Sequence, residues 1–401
     1  MKGACVMQNV KDEGLNHPEK YSYKLVITKA FCEQAIQYIL KKIDLNLETF
    51  THKFPASASR NLVYPAIDNT DWTSSFWTGM LWLAYEVTGD DKYRRVAEIH
   101  IDSFKKRIQE KLQTDTHDLG FLYTLSCVAA YKLTGNEEAK RTVLKAADQL
   151  LTRFFDQAGI IQAWGDLNDP AQRGRMIVDC LMNLPLLYWT SQVTGNKTYY
   201  AVAYSHVQQT AKYLVREDAS TYHTFYMDVD TGAPKFGKTA QGYADDSCWA
   251  RGQAWAMYGF PLSYGYTGDW NFIELTKKLT NYFLNRLPDD GVCYWDLIFT
   301  AGDEERDSSA AAIAACSMLE LAKHLPLTDP LKRSYENAAI TMIRSLTDHY
   351  TTVTRPESNG ILLHAVYHKP EGKGVAECCI WGDYYYFEAL VRLIRNWKLY
   401  W

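Results

Sequence analysis

Apolar residues recur every three or four positions in six charged stretches, at about 28–46, 90–110, 136–155, 197–216, 270–286 and 329–351. That spacing predicts amphipathic helices that bury one stripe. Six other stretches, at about 74–87, 119–133, 177–193, 248–264, 308–325 and 383–396, carry few charges and predict helices covered on nearly all sides. The two kinds alternate along the chain, which predicts an outer layer and an inner one. Between an inner stretch and the next outer one a turn recurs: Thr88-Gly89-Asp90, Thr134-Gly135-Asn136, Thr194-Gly195-Asn196 and Thr267-Gly268-Asp269. Glycine ends one helix there, and Asp or Asn caps the next. Leu327-Thr328-Asp329-Pro330 keeps the cap and adds a proline near the first helical position. Six charged helices alternating with six apolar ones predict an all-α fold, a closed (α/α)6 barrel, because an open superhelix would leave one face exposed. No Pro- or Ser-rich linker interrupts the series, so a single domain over 1–401 is expected, with 1–25 an irregular N-terminal segment.

Longer connections fall at about 156–176, 217–246, 287–307 and 352–382, and predict the mouth of a pocket. Polar and aromatic residues gather at the inner-helix starts: Asp71 and Trp72, His117 and Asp118, Asp179, Trp249 and Arg251, Asp307 and Ser308, Trp381 and Asp383. Six inner N-termini would then face one cavity. Their N–H groups and dipoles favour an anion, each by about 0.3–1 kcal/mol when exposed.

Asp118 and Asp179 stand where apolar helical patterns normally exclude a charge. A carboxylate in such surroundings is paired, hydrogen-bonded or protonated, and a raised pKa is what an acid/base catalyst needs. Asp118 just before an apolar helix also fits a structural N-cap, and Asp179 also fits a paired structural carboxylate with Asn183 one turn later. Arg251 lies between Trp249 and Trp255 on an otherwise apolar helix, and calls for either an internal partner such as Asp245 or Asp246, or a ligand's anion.

The formal net charge of −4, with acids and bases interspersed, offers no stripe for a phosphate backbone, so nucleic acid is not an expected partner. No apolar run approaches membrane-spanning length and the first residues lack a signal-peptide core, so a soluble, cytoplasmic protein is expected. The 9 cysteines are odd in number, without Cys-x-x-Cys spacing, and read as reduced core residues. The 12 Trp and 28 Tyr exceed what a core requires, and sugars stack on such faces. Gly232–Thr239 fits the spacing of a phosphate-binding loop, yet no helix pattern opens after it. Neither His-Glu-x-x-His nor Gly-x-Ser-x-Gly occurs. Carboxylate catalysis without metal or other cofactor is the expectation.

Asp71-Trp72-Thr73-Ser74-Ser75-Phe76-Trp77-Thr78-Gly79, His117-Asp118-Leu119-Gly120-Phe121, Asp179-Cys180-Leu181-Met182-Asn183, Trp249-Ala250-Arg251-Gly252-Gln253-Ala254-Trp255 and Trp381-Gly382-Asp383-Tyr384-Tyr385-Tyr386 resemble the unsaturated glucuronyl hydrolases, glycoside hydrolase family 88, in family order over about residues 60–395. The resemblance implies an (α/α)6 barrel acting on lyase-generated oligosaccharides with a 4,5-unsaturated terminal uronate. It implies Asp179 as the acid/base that protonates C4 and activates water for C5, and Asp118 as its helper. It further implies Trp72, Phe76, Trp164, Trp249 and Trp255 as aromatic lining, Arg251 and Gln241 as uronate ligands, and His117, His223 and Tyr367 as pocket residues. Lys373 matches the lysine of a sulfate-recognising loop, whose serines are absent from His368-Lys369-Pro370-Glu371-Gly372-Lys373. Unsulfated or weakly sulfated chondroitin or hyaluronan disaccharides are the expected partners. The alternatives are an unsaturated rhamnogalacturonyl hydrolase, an inverting glycosidase with carboxylates about 6.5–9.5 Å apart, and a non-catalytic saccharide-binding barrel.

Overall fold

A computed structural model describes residues 10–22 and 27–401. Its α-helical segments are, in chain order, α1 (Lys29–Asn46), α2 (Ser74–Thr88), α3 (Asp91–Gln109), α4 (Leu119–Tyr123), α5 (Ala129–Thr134), α6 (Glu137–Leu151), α7 (Leu184–Thr194), α8 (Lys197–Tyr213), α9 (Ala250–Thr267), α10 (Asn271–Leu284), α11 (Ser308–His324), α12 (Lys332–His349) and α13 (Ile380–Ile394). The inner members α2, α4 with α5, α7, α9, α11 and α13 touch one after another, and α13 returns to α2. The ring is therefore closed, and the fold is the expected (α/α)6 barrel. Each outer helix packs on the inner helix before it, and α1 completes the outer ring on α13.

Burial explains the two layers. In α3 the buried positions include Tyr93, Ala97, Ile101, Phe104 and Ile108, one stripe at helical spacing. In α9 every residue from Ala250 to Ser263 is buried. At about 1.5–3 kcal/mol for each large apolar side chain removed from water, only closure of the ring gives such a helix enough cover.

The inner-to-outer turns form as the sequence predicts. Gly89, Gly135, Gly195 and Gly268 have φ between +69° and +75°, a conformation other residues adopt only with strain. Asp90, Asn136, Asn196 and Asp269 accept from the N–H groups of Lys92, Ala139, Thr198 and Asn271 at 2.9–3.1 Å. Asp329 accepts from Leu331 N at 2.9 Å. Yet α12 starts only at Lys332, after an N-cap at Leu331 that makes no side-chain cap, so the expected Asp329 cap is replaced by a turn and Pro330 precedes the helix. Thr88, Thr134, Thr194 and Thr267 each donate to the carbonyl four residues back, at 2.7–2.8 Å.

Two inner stretches depart from the expected continuous helices. The 119–133 stretch is broken by a π turn at Thr124–Val128. Ser126 Oγ donates back to the Leu122 carbonyl, and the Trp82 indole takes the Ser126 carbonyl at 3.1 Å, which loosens the local ladder. The 177–193 stretch begins instead as a 3-10 turn, Val178–Met182, before α7. Pro185 in the first turn of α7 has no N–H and its ring crowds the carbonyl of Leu181, so an α-helix cannot extend backward through it.

The long connections carry short antiparallel strands, including a three-stranded sheet of Arg175–Ile177, Thr224–Met227 and Pro234–Lys238 and a hairpin of Ala365–His368 with Lys373–Glu377. The Gly232–Thr239 segment is thus part of a sheet and opens no helix. Of the expected irregular segment 1–25, residues 1–9 and 23–25 lie outside the described residues, and Pro18–Tyr21 form a 3-10 turn. No helix of the described residues is long and apolar enough to cross a membrane.

Candidate active site

Trp72, Asp118 and Trp164 share the wall of a cavity of about 900 Å3 with Arg107, Arg153 and Asp166. Asp118 stands immediately before α4, yet its carboxylate caps nothing. A capping residue takes extended backbone angles, whereas Asp118 has φ −65° and ψ 1°. The N-cap reading is therefore corrected. Asp118 Oδ2 accepts from Thr116 Oγ1 at 2.7 Å, and Oδ1 lies 3.3 Å from His117 Nε2. Burial pushes its carboxyl up to about 6, against the opposing hydrogen bonds of Thr116 and Asn183. The same burial pushes His117 down to about 3, so the imidazole is neutral.

Asp179 occupies the 3-10 turn, and its Oδ1 is buried without a hydrogen-bond partner. No ion pair among the described residues reaches it, so the paired structural carboxylate is not what the structure holds. Burial, then the charge of Asp118, push its carboxyl up to about 8. Of the two carboxyls, Asp179 is raised further and keeps its proton to the higher pH.

Asn183 joins the two segments: Nδ2 donates to the Asp179 carbonyl at 3.3 Å, and Oδ1 accepts from Phe121 N at 2.7 Å. Gly120 permits that approach, because a Cβ there would lie 2.2 Å from Asn183 Cα. Replacing Asp118 by Asn removes the negative neighbour of Asp179, so ionisation of Asp179 becomes easier and its pKa falls. The alkaline limb of the rate profile should then move to lower pH, measured as kcat against pH. An unmoved limb would show that the two carboxyls do not interact.

Arg251 is buried at 1% exposure against Asp307 at 0%, with Nη1 3.0 Å from Asp307 Oδ2. This corrects the expected pairing with Asp245 or Asp246, which lie on the turns before α9, whereas Asp307 caps α11 through Ser309 N and Ala310 N and presents its other oxygen inward. Arg251 also donates to Gln241 Oε1 at 2.5 Å, to the Tyr367 carbonyl at 2.6 Å and to the Val366 carbonyl. Its guanidinium lies over Trp249 and Trp381, with ring centroids at 4.4 and 4.9 Å. The second indole is thus Trp381, because Trp255 turns into the aromatic core.

His223 stacks near Trp249 at 4.3 Å, and its Nδ1 accepts from Ala240 N and Gln241 N at 3.0 and 3.1 Å. Burial makes it neutral, so the proton sits on Nε2, a buried atom with no hydrogen-bond partner. Trp72 Nε1 donates to Tyr367 Oη at 3.0 Å, and Lys373 Nζ lies 4.4 Å from the Tyr367 ring centroid. Phe76 and Trp255, expected as lining, are 0% and 1% exposed and pack on Phe121 at 5.5 and 5.2 Å. They back the wall on which Trp72 stands.

The profile of Glycosyl Hydrolase Family 88 matches residues 43–394. The chain belongs to glycoside hydrolase family 88. It is 48% identical to the unsaturated chondroitin disaccharide hydrolase of Streptococcus pneumoniae, over 99% of this chain and 100% of that protein. The unsaturated glucuronyl hydrolase of Bacillus sp. is 44% identical, over 92% of this chain and 98% of that one. The crystal structure of unsaturated glucuronyl hydrolase from Streptococcus agalactiae superposes with a TM-score of 0.96 at 46% identity, covering 98% of this chain and 99% of that one. A mutant of that enzyme complexed with dGlcA-GalNAc6S superposes with a TM-score of 0.89 at 44% identity, with the same coverage.

In this family 88 hydrolase the fold also brings to the region residues that the sequence reading left outside the site. Asn183 was visible as a same-face neighbour of Asp179 but given no link to Asp118. Asp307 and Trp381 were seen at helix starts without their partner Arg251. Arg153 and Arg175 fall in charged or irregular stretches, where nothing in the pattern separates a buried arginine from a solvated one.

Proposed function

We propose that this hydrolase removes the non-reducing terminal 4,5-unsaturated uronate from lyase-generated chondroitin or hyaluronan oligosaccharides. The observation that carries the reading is the buried, unpartnered Oδ1 of Asp179 beside a second carboxyl group. Protonated Asp179 delivers its proton to C4 of the vinyl ether, leaving positive charge at C5 and the ring oxygen. The resulting carboxylate then takes a proton from water as the oxygen adds to C5. The hemiketal opens and expels the remaining sugar. Asp118 holds ring hydroxyls, and neutral His223 offers Nε2–H to a substrate oxygen. Arg251 and Gln241 serve the uronate carboxylate from their shared cluster, and Trp72, Trp164 and Trp249 supply apolar faces. Reduced, buried cysteines suit a cytoplasmic setting.

Substrates with at most one sulfate fit the rim. Lys369 is bound to Glu305, and His368 Nε2 lies 3.4 Å from Glu371, so among the described residues Lys373 is the cation of this hairpin without a carboxylate partner. Unsaturated disaccharides from chondroitin, hyaluronan, mono- and disulfated chondroitin and rhamnogalacturonan test this, followed by loss of the double-bond absorbance. Unsulfated and monosulfated glycosaminoglycan substrates should turn over, with disulfated ones slower by about tenfold in kcat/KM, the equivalent of one exposed charge repulsion. Faster turnover of the rhamnogalacturonan product, or cleavage of saturated glycosides, would overturn the assignment.

A further inference from the structure

Arg153, on the wall of the cavity that holds Asp118, and Arg175 together hold four consecutive carbonyls of the loop that carries Trp164. Arg153 Nε donates to the Gln162 and Ala163 carbonyls, both at 3.0 Å, and its Nη2 donates to the Gly165 carbonyl at 2.9 Å. Arg175 Nη2 donates to the intervening Trp164 carbonyl at 3.0 Å, and its guanidinium lies 4.3 Å from the Trp164 ring centroid. The backbone reciprocates: Gln162 N donates to the Arg153 carbonyl and Ala163 N to the Arg175 carbonyl, each at 2.9 Å. Gly165 takes φ +95°, and a Cβ there would lie 1.7 Å from Gln172 Oε1, so the chain turns sharply directly after Trp164.

Neither arginine has a carboxylate within salt-bridge distance among the described residues, although Arg153 is only 2% exposed. A buried cation is costly, and a surface loop does not require one. Here both charges are committed to fixing the backbone of one segment. The product of that arrangement is the placement of an indole on the wall of the cavity that also holds Asp118. Arg153 lines the same cavity and its Nη1 makes no hydrogen bond among the described residues, which leaves a donor for a hydroxyl or an anionic substituent.

We infer that Arg153 and Arg175 are positioning residues for the leaving sugar, holding the Gln162–Gly165 shelf so that Trp164 meets the ring attached to the unsaturated uronate. The inference rests on the function proposed above. Lysine cannot replace either: one ammonium can neither span adjacent carbonyls in a plane nor stack flat on an indole. Lysine keeps the positive charge that Arg153 places near Asp118, and among the described residues neither guanidinium hydrogen-bonds or ion-pairs with Asp179, so the effect falls on binding of the departing group.

The experiment compares an unsaturated chondroitin disaccharide with methyl 4,5-unsaturated glucuronide, whose aglycone is too small to reach the shelf. Wild type, Arg153→Lys and Arg175→Lys are assayed by loss of the double-bond absorbance. Both variants should raise KM for the disaccharide about tenfold, comparable to losing one ring-stacking contact. Their kcat, its pH profile and both constants for the methyl glycoside should stay as in wild type. Equal losses on both substrates, or no change on either, would overturn the inference. Arg175 is only partly buried, so its variant keeps the test open if Arg153→Lys does not fold. Wild type inert towards both substrates would instead sink the functional proposal, a result read before any variant is made.

Discussion

Asp179→Asn is expected to abolish turnover while substrate binding persists. The amide is close in shape to the acid, so the 3-10 turn, the Asn183 bond to the residue 179 carbonyl and the cavity wall are retained. What disappears is the proton that the buried carboxyl holds at neutral pH. An amide cannot protonate carbon, and it cannot accept the proton of an attacking water. Because the same group serves both halves of the hydration, the loss should exceed the roughly 10²–10⁴-fold of a single general acid/base step. The assay is double-bond absorbance over long incubation, paired with calorimetric titration of the intact disaccharide. Turnover within tenfold of wild type would exclude Asp179 as the acid/base. In the wild type the protonated form is the competent one for the first step. The rate should therefore fall as pH rises through the raised pKa of Asp179, near 8, and not near the range of a free aspartate.

The second large effect concerns the fold itself. Asp307→Asn should cost about 3–5 kcal/mol of stability, because it strands the Arg251 charge at 1% exposure. Asparagine can still accept from Ser309 and Ala310 N–H groups, so the α11 cap persists and the loss isolates the charge. Urea unfolding followed by tryptophan fluorescence measures it. A loss below about 1 kcal/mol, the range of an exposed pair, would mean that the surrounding carbonyls of Val366 and Tyr367 suffice for Arg251. Activity should fall alongside, since Arg251 connects Gln241 to the Ala365–His368 strand.

The barrel was legible because its determinants are local. Periodicity distinguishes α3 from α9 within one helix length, and each Thr-Gly-Asp or Thr-Gly-Asn turn is read within three residues. The two breaks were less legible. Pro185 gave a visible reason for the 3-10 turn at Asp179, whereas the π turn depends on an indole from α2 capturing a carbonyl 44 residues away. The same distance dependence governs the site. Asp118 and Asp179 stood out as charges in apolar stretches. The partner of Arg251 lies 56 residues along the chain, and nearer aspartates offered themselves first. The aromatic positions were less legible for a related reason: tryptophan and phenylalanine in an inner helix look alike in sequence whether they stand on the cavity wall, like Trp72, or pack on Phe121, like Phe76 and Trp255.

The short turns join inner helix ends to outer helix starts, and the long connections run the other way, at the end where the site lies. Segregating them divides the molecule into a conservative pole and an inventive one. The closing turns are stereotyped and tolerate little, since four of the five need a left-handed glycine followed by Asp or Asn at a fixed offset. The opposite rim can be lengthened, trimmed or exchanged without disturbing the signals that close the ring. A lineage built on this plan can therefore explore new sugars by editing one end of the barrel, with its capacity to fold carried by the other.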